Sequence, residues 1–161
     1  MRPMLRKILA LIDLPPAWLA AHVAAAWVLS LISPALFGAA GDWLGRALVI
    51  LGVVITVIAA AQMTLHRTTV IPRRKPAALV TTGLFAVSRN PIYLADAVIL
   101  LGAILWLDAI LALPLVAVFV LLIQTRFIRD EETRLTMAFG PEFDLWAAHT
   151  PRWIGGRTPR K

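Results

Sequence analysis

Four stretches of this chain are long and apolar enough to cross a bilayer. Residues 17–37 and 47–65 contain no Asp, Glu, Lys or Arg; 91–107 carries one acid, Asp96; 109–126 is uncharged as far as Thr125. A helical span takes about 20 residues, with a working range of roughly 17–25. The last two stretches are short and only Asp108 divides them, so they read as a tight helical hairpin. A cleaved leader is a poor account of the first, because a leader's apolar core runs to about 7–15 residues and no clean small-residue cleavage site follows Trp27. Composition agrees: 60% of the 161 residues are hydrophobic and 16% charged, against about half and a quarter in soluble domains, and far from the polar bias of disordered chains. The length suits one domain over 1–161. The expected fold is all-α: an integral membrane protein of four transmembrane helices, the last extended into the cytoplasm and followed by a short C-terminal helix.

The basic residues set the orientation. Arg2, Arg6 and Lys7 precede the first stretch. Arg67, Arg73, Arg74, Lys75 and Arg89 lie between the second and third. Arg126, Arg129, Arg134, Arg152, Arg157, Arg160 and Lys161 stand at or beyond the end of the fourth. Of the 16 Lys and Arg, only Arg46 falls on the other side. The positive-inside rule then makes both termini, 66–90 and 127–161 cytoplasmic, as an even number of spans requires. Topology and anionic lipid account for the net charge of +7 without nucleic acid. With no cysteine, disulfides, thiolate metal sites and Cys nucleophiles are excluded. His22, His66 and His149 are too scattered for a zinc site, so no metal is expected.

The working surface is thus expected in 66–90 and 127–161. Thr68, Thr69 and Val70 are β-branched and Pro72 and Pro76 forbid a continuing helix, so 67–76 stays irregular. Gly83 signals a turn. Asn90 is a favoured N-cap and Pro91 a favoured first helical residue, which aims the anion-binding end of the third span into the cytoplasmic loop. No breaker interrupts 127–139 before Gly140-Pro141, which carries the last span about 20 Å onward. Asp130 lies four residues from both Arg126 and Arg134, within pairing reach. Pro141 opens a final helix ending before Pro151. Phe143, Trp146 and Trp153 are candidates for the headgroup level or for covering a pocket.

Taken singly, the polar residues at this depth have plain readings. Arg89 reads as a topological anchor, Tyr93 as an interfacial aromatic, Glu131-Glu132 as a solvated, paired helix face, and His66 as a polar cap. His22 and Gln62 can each be satisfied by a helix neighbour. Asp96 is harder to dismiss, since an acid a turn or two inside lipid usually faces a cavity or partner. The hairpin, however, brings Asn90 back to 126–132. Arg89 with Tyr93 and Asp96, Glu131 with Glu132, and His66 then converge at one level.

Together these residues form a pattern: His66-Arg67-Thr68-Thr69-Val70 and Pro72; Leu79-Val80-Thr81-Thr82-Gly83-Leu84-Phe85; Ser88-Arg89-Asn90-Pro91-Ile92-Tyr93-Leu94; Arg129-Asp130-Glu131-Glu132; then Phe139-Gly140, Phe143, Trp146 and Pro151-Arg152. Over 62–154 it resembles the superfamily of isoprenylcysteine carboxyl methyltransferases and phospholipid N-methyltransferases. Leu84 stands where that pattern commonly has Pro, Ala95 where Gly is frequent, Asn90 where the eukaryotic carboxyl methyltransferases have His, and Phe143 and Trp146 where Tyr is usual. The resemblance implies an S-adenosylmethionine-dependent membrane methyltransferase. Its acceptor would be lipid-soluble or small and apolar, reached from membrane lipid. The implied cofactor-binding residues are His66, Gly83, Arg89, Asn90, Pro91, Tyr93, Glu131 and Glu132; Arg89, Tyr93, Glu132 and His66 are the implied catalytic ones. On that reading Arg89 and the helix start at Asn90 hold the cofactor's carboxylate. Glu131 or Glu132 receives its ammonium or ribose hydroxyls, and Tyr93 faces its sulfonium or adenine. His66 or a Glu assists only where an amine or thiol acceptor must lose a proton. Two other readings compete: a nicotinamide-dependent membrane reductase of related helical architecture, for which the chain is short and lacks a distinct 2′-phosphate clamp, and a non-catalytic four-helix lipid-binding scaffold.

Overall fold

The computed structural model describes residues 13–69, 71 and 76–155, and every regular element within them is helical. Proline and glycine set the helix limits. Helix α1, Pro15–Ser30, starts with Pro at its first turn. Helix α2 is Gly38–Leu65, α3 the single turn Leu84–Val87, and α4 Pro91–Trp106. A 3₁₀ turn at Ile110–Ala112 leads into α5, Pro114–Ile123; a π turn, Gln124–Ile128, joins that to α6, Arg129–Phe139; and α7 is Pro141–His149.

Two of the expected spans shift. The helix expected over 17–37 stops at Ser30, because Pro34 disfavours helical backbone before it; 31–33 close instead with short turn bonds, such as the Ile32 N–H to Leu29 at 3.2 Å. The helix expected over 47–65 begins nine residues earlier, at Gly38. Among the described residues two helical runs, Gly38–Leu65 and Ile110–Phe139, have the length and composition to cross a membrane. The 16 residues of α1 and of α4 rise about 24 Å each at 1.5 Å per residue, against about 30 Å for a hydrocarbon core. The outward side chains are apolar: Trp43, Ile50, Val57 and Leu121 are all at least 60% exposed. The described chain forms two compact units, one of residues up to Ile50 with Asp96–Leu121, the other of Leu51–Ala95 with the residues from Leu122 onward.

In the first unit, Asp108 explains the early start of α2. Its Oδ1 accepts the N–H groups of Phe37 at 2.8 Å and Leu36 at 3.0 Å, and its Oδ2 that of Gly38 at 3.1 Å. Donors that a helix start leaves unsatisfied are thus met by a residue some 70 positions away. Asp108 is placed by the end of α4: its φ is 51°, its N–H bonds Leu105 at 3.1 Å and the next N–H, of Ala109, bonds Ile104 at 2.9 Å, a Schellman closure with Asp at the left-handed position. Gly45 and Gly102 bring α2 and α4 into backbone contact; a Cβ on Gly102 would lie 2.7 Å from the Gly45 carbonyl and 2.8 Å from the Val49 nitrogen. Such small-residue approaches are how helices associate where lipid removes the hydrophobic drive. His22 is satisfied within its own helix, Nδ1 lying 2.8 Å from the Trp18 carbonyl, with its ring edge-on to Phe119.

In the second unit, Ala59, Val80 and Phe85 form a buried core, with Met63, Leu84, Ile92 and Trp146 packed against it. Helix α2 closes like α4, with Arg67 at φ 54° and the Thr68 N–H bonded to Met63 at 3.0 Å. Gln62 is not satisfied by a helix neighbour: its Oε1 accepts the Leu84 N–H at 3.2 Å. Gly83, at φ 61°, lies against that amide, where any Cβ would collide. Val70 and Pro72 to Lys75 of the segment expected to be irregular lie outside the described residues, as do Arg2, Arg6, Lys7, Arg157, Arg160 and Lys161.

The three N–H groups, Phe37 first, hold the Asp108 carboxyl below the usual carboxylate range. A carboxylate so depressed stabilises the fold at pH above its unfolded value, about 3.9, and that stabilisation is lost as pH falls through the lower folded value. Asp108→Ala is therefore expected to lower the unfolding midpoint in detergent at pH 6, with Asp108→Asn falling between it and the parent. The deficit of Asp108→Ala should shrink as pH drops toward 3; a deficit constant across that range would exclude the cap as its source.

Candidate active site

The candidate site lies wholly in the second unit, where the turn before α4 meets the residues after the π turn. Ser88, buried, orders that turn: its Oγ accepts the Asn90 N–H at 3.1 Å and donates to the Arg152 carbonyl at 3.1 Å. The Asn90 side-chain amide donates to the same carbonyl at 3.0 Å, and the Arg89 N–H to the Pro151 carbonyl at 2.8 Å. Residues 150–153 are thereby strapped to the motif turn. Helix α4 starts at Pro91, as expected, and its first turn carries Tyr93.

The π turn accounts for how the acids face this turn. One inserted residue rotates everything beyond it by about 100°. Phe127 and Ile128 are buried there, and Gln124 accepts the Trp153 indole N–H at 3.1 Å. Beyond it, Arg89 Nη1 lies 2.7 Å from Glu132 Oε1. Arg152 grips the same carboxylate as a fork, Nε to Oε1 at 2.9 Å and Nη2 to Oε2 at 2.5 Å. Arg89 and Glu132 side chains are 13% and 15% exposed and Arg152 is 39% exposed, so the pairing is largely desolvated, where breaking one partner costs on the order of 3 kcal/mol. Next to it the Tyr93 hydroxyl donates to Glu131 Oε2 at 3.1 Å. Burial pushes the Glu131 carboxyl above its ordinary range, while the Tyr93 hydroxyl and Arg134 pull it back. The Glu132 hydrogen bonds push the Arg152 guanidinium further up.

The structure thus brings together Arg89, Asn90, Pro91, Tyr93, Glu131 and Glu132. His66 is exposed at the end of α2, its Nδ1 2.8 Å from the Gln62 carbonyl. Gly83 shapes the loop against Gln62. Asp96 is 7% exposed. Asp130 pairs with Arg134 at 3.1 Å, at the spacing expected. Of the aromatics expected at the headgroup level or over a pocket, Phe143 is buried edge-on to Trp146, and the Trp146 indole donates to the Phe85 carbonyl at 3.0 Å. Arg152 is the site residue that sequence reasoning passed over as a topological charge; its place beside Pro151 in the pattern was the available signal. Among the described residues no group of three or more His, Asp or Glu is arranged to hold a metal ion.

The phospholipid methyltransferase family matches residues 41–142, a range that includes every site residue above except those of the strap. The chain is also 30% identical over 115 residues to the nickel-cobalt-cadmium resistance protein NccN of Alcaligenes xylosoxydans xylosoxydans. That stretch is 70% of this chain and 52% of the relative, so the chain spans about half of the relative's length. No solved structure matches the chain. Neither the reductase nor the scaffold reading gains support from these matches.

A carboxyl raised in the fold favours folding below its unfolded value, near 4.5 for Glu131, and that contribution is lost as pH rises through the folded value. Glu131→Gln keeps an acceptor for Tyr93 and removes the charge. Its unfolding midpoint is therefore expected to match the parent near pH 4 and to gain on it as pH rises to 7; a difference independent of pH would contradict this.

Proposed function

Since this chain belongs to the phospholipid methyltransferase family, we propose that it transfers a methyl group from S-adenosylmethionine to a lipid-associated or small apolar acceptor. The observation that carries this reading is the paired cluster Arg89–Glu132–Arg152 beside Tyr93–Glu131, assembled from residues far apart in the chain. Its donor set suits the cofactor's methionine end, which carries both a carboxylate and an ammonium: cations and acids stand side by side, partly screened from water. Bound there, the cofactor supplies an activated methyl on a cationic sulfur. Arg89 and the α4 start hold the carboxylate, Glu131 or Glu132 receives the ammonium or the ribose hydroxyls, and the Tyr93 ring favours the cationic sulfur. Orientation and exclusion of water then supply most of the rate. His66 or a Glu takes a proton where the acceptor is an amine or thiol, and a carboxylate acceptor needs none taken.

The topology we propose has four spans, with both termini and the site in the cytoplasm. It rests on the one-sided placement of Lys and Arg and on the two long apolar runs. Because the chain lacks cysteine, single introduced thiols report side cleanly. In sealed, oriented vesicles Thr82→Cys is expected to react only with reagent on the cytoplasmic side and Ala35→Cys only from the opposite side; labelling of both from one side would refute the topology.

Incubating the purified protein with methyl-labelled S-adenosylmethionine and a lipid extract tests the activity. Label is expected in an organic-soluble product with the parent chain, and at least about 100-fold less with Arg89→Ala, which removes a charge-assisted contact and leaves Glu132 half-paired. Equal labelling by Arg89→Ala would take the cluster out of the reaction.

A further inference from the structure

Glu131 and Glu132 are adjacent in sequence, yet their surroundings are opposite. Both Glu132 oxygens are taken by guanidinium groups: Oε1 by Arg89 and Arg152, Oε2 by Arg152. With two cations on one carboxylate, that group carries a net positive charge. A ligand's ammonium brought to Glu132 would meet two guanidiniums first. Glu131 forms no ion pair among the described residues; Tyr93 bonds its Oε2, and its Oε1 has no hydrogen bond there. On the cationic side, Arg152 spends Nε and Nη2 on Glu132, while its Nη1 has no hydrogen bond among the described residues. Arg152 is also the more exposed of the two guanidiniums, 39% against 13% for Arg89. Its backbone is held still by Ser88 and Asn90.

We infer, on the reading that the site takes S-adenosylmethionine, that the two acids divide their work: Glu132 is a positioning residue fixing Arg89 and Arg152, Arg152 is a further cofactor-binding residue for the carboxylate of the methionine end, and Glu131 alone receives its ammonium. The site is then a receptor for a zwitterion: the strap supplies the fixed cation, Arg152 held by Glu132, and α6 supplies the fixed anion, Glu131, the residue next to Glu132. The strap 150–153 becomes part of the binding machinery, because it delivers Arg152.

Two probes separate this from a merely structural role. S-adenosylhomocysteine keeps the amino-acid end; 5′-methylthioadenosine keeps the nucleoside and thioether and lacks that end. Binding of each to the full chain is measured by calorimetry in detergent. Arg152→Ala and Glu131→Gln are each expected to weaken S-adenosylhomocysteine about 10- to 100-fold, the loss of one charge-assisted contact, and to leave 5′-methylthioadenosine within about twofold. Arg152→Lys, which keeps the charge and loses the fork, should fall between and guards against a failure of Arg152→Ala to fold. Equal weakening of both probes would make the residues structural and overturn the inference, as would unchanged binding of both. Should the parent chain bind neither probe, the cofactor reading itself falls, and this inference with it.

Discussion

Glu132 held between two guanidiniums is the interaction on which the site depends. It joins three separate pieces of chain: the turn before α4, the helix beyond the π turn, and the strap that follows α7. A carboxylate facing one arginine would be an ordinary pair. Facing two, it organises a surplus of positive charge that water alone would not hold in place, because each guanidinium repels the other. The surrounding bonds make the arrangement rigid. Ser88, Asn90 and the Arg89 backbone all engage the carbonyls of Pro151 and Arg152, so the arginine that completes the cluster is fixed at both ends, by its main chain and by its fork.

Much of this was legible in the sequence. Uncharged stretches and the prolines at 91 and 141 gave the starts of α4 and α7 where the structure has them. The hairpin implied by Asp108 foretold that Asn90 would meet the region after Thr125, and Arg89–Glu132 and Tyr93–Glu131 are that meeting. What stayed hidden was tertiary. Nothing local to Gly38 announces a helix start, since its cap comes from Asp108, some 70 residues on. The π turn has no composition of its own; Gln124–Ile128 reads as helix, and only the structure shows it widened, with Gln124 bonded to Trp153 and Phe127 buried. Gln62 reads as a polar group that its own helix can satisfy, and only the folded loop shows it bonded to Leu84.

Arg152 was missed for a different reason. In the expected four-span topology fifteen basic residues fall on one side, as the positive-inside rule asks, and a rule that explains them all leaves no residue over to explain individually. The proposed topology and the proposed chemistry call on the same side chain. Position near the end of a span therefore says little about whether a guanidinium is solvated or engaged. The distinguishing property is the partner: Arg46 pairs with Asp42, four residues away on its own helix, whereas Arg152 forks onto Glu132, 20 residues away on α6.

The raised carboxyl of Glu131 gives this cluster its tension between stability and use. Burial beside Tyr93 disfavours its charged form, and a fold selected for stability alone would put a neutral side chain there. Keeping an acid costs folding free energy at neutral pH, a cost that a cation facing it would offset. Glu132 shows the contrary solution, an acid fully matched within the chain. Two acids one residue apart, one matched by two guanidiniums and one bonded, among the described residues, only by a hydroxyl, fit the proposed division between a strut and a receptor. That difference follows from the turn of about 100° between neighbouring helical residues, which sets Glu131 against Tyr93 and Glu132 against the two guanidiniums, a placement that leaves no mark in hydropathy.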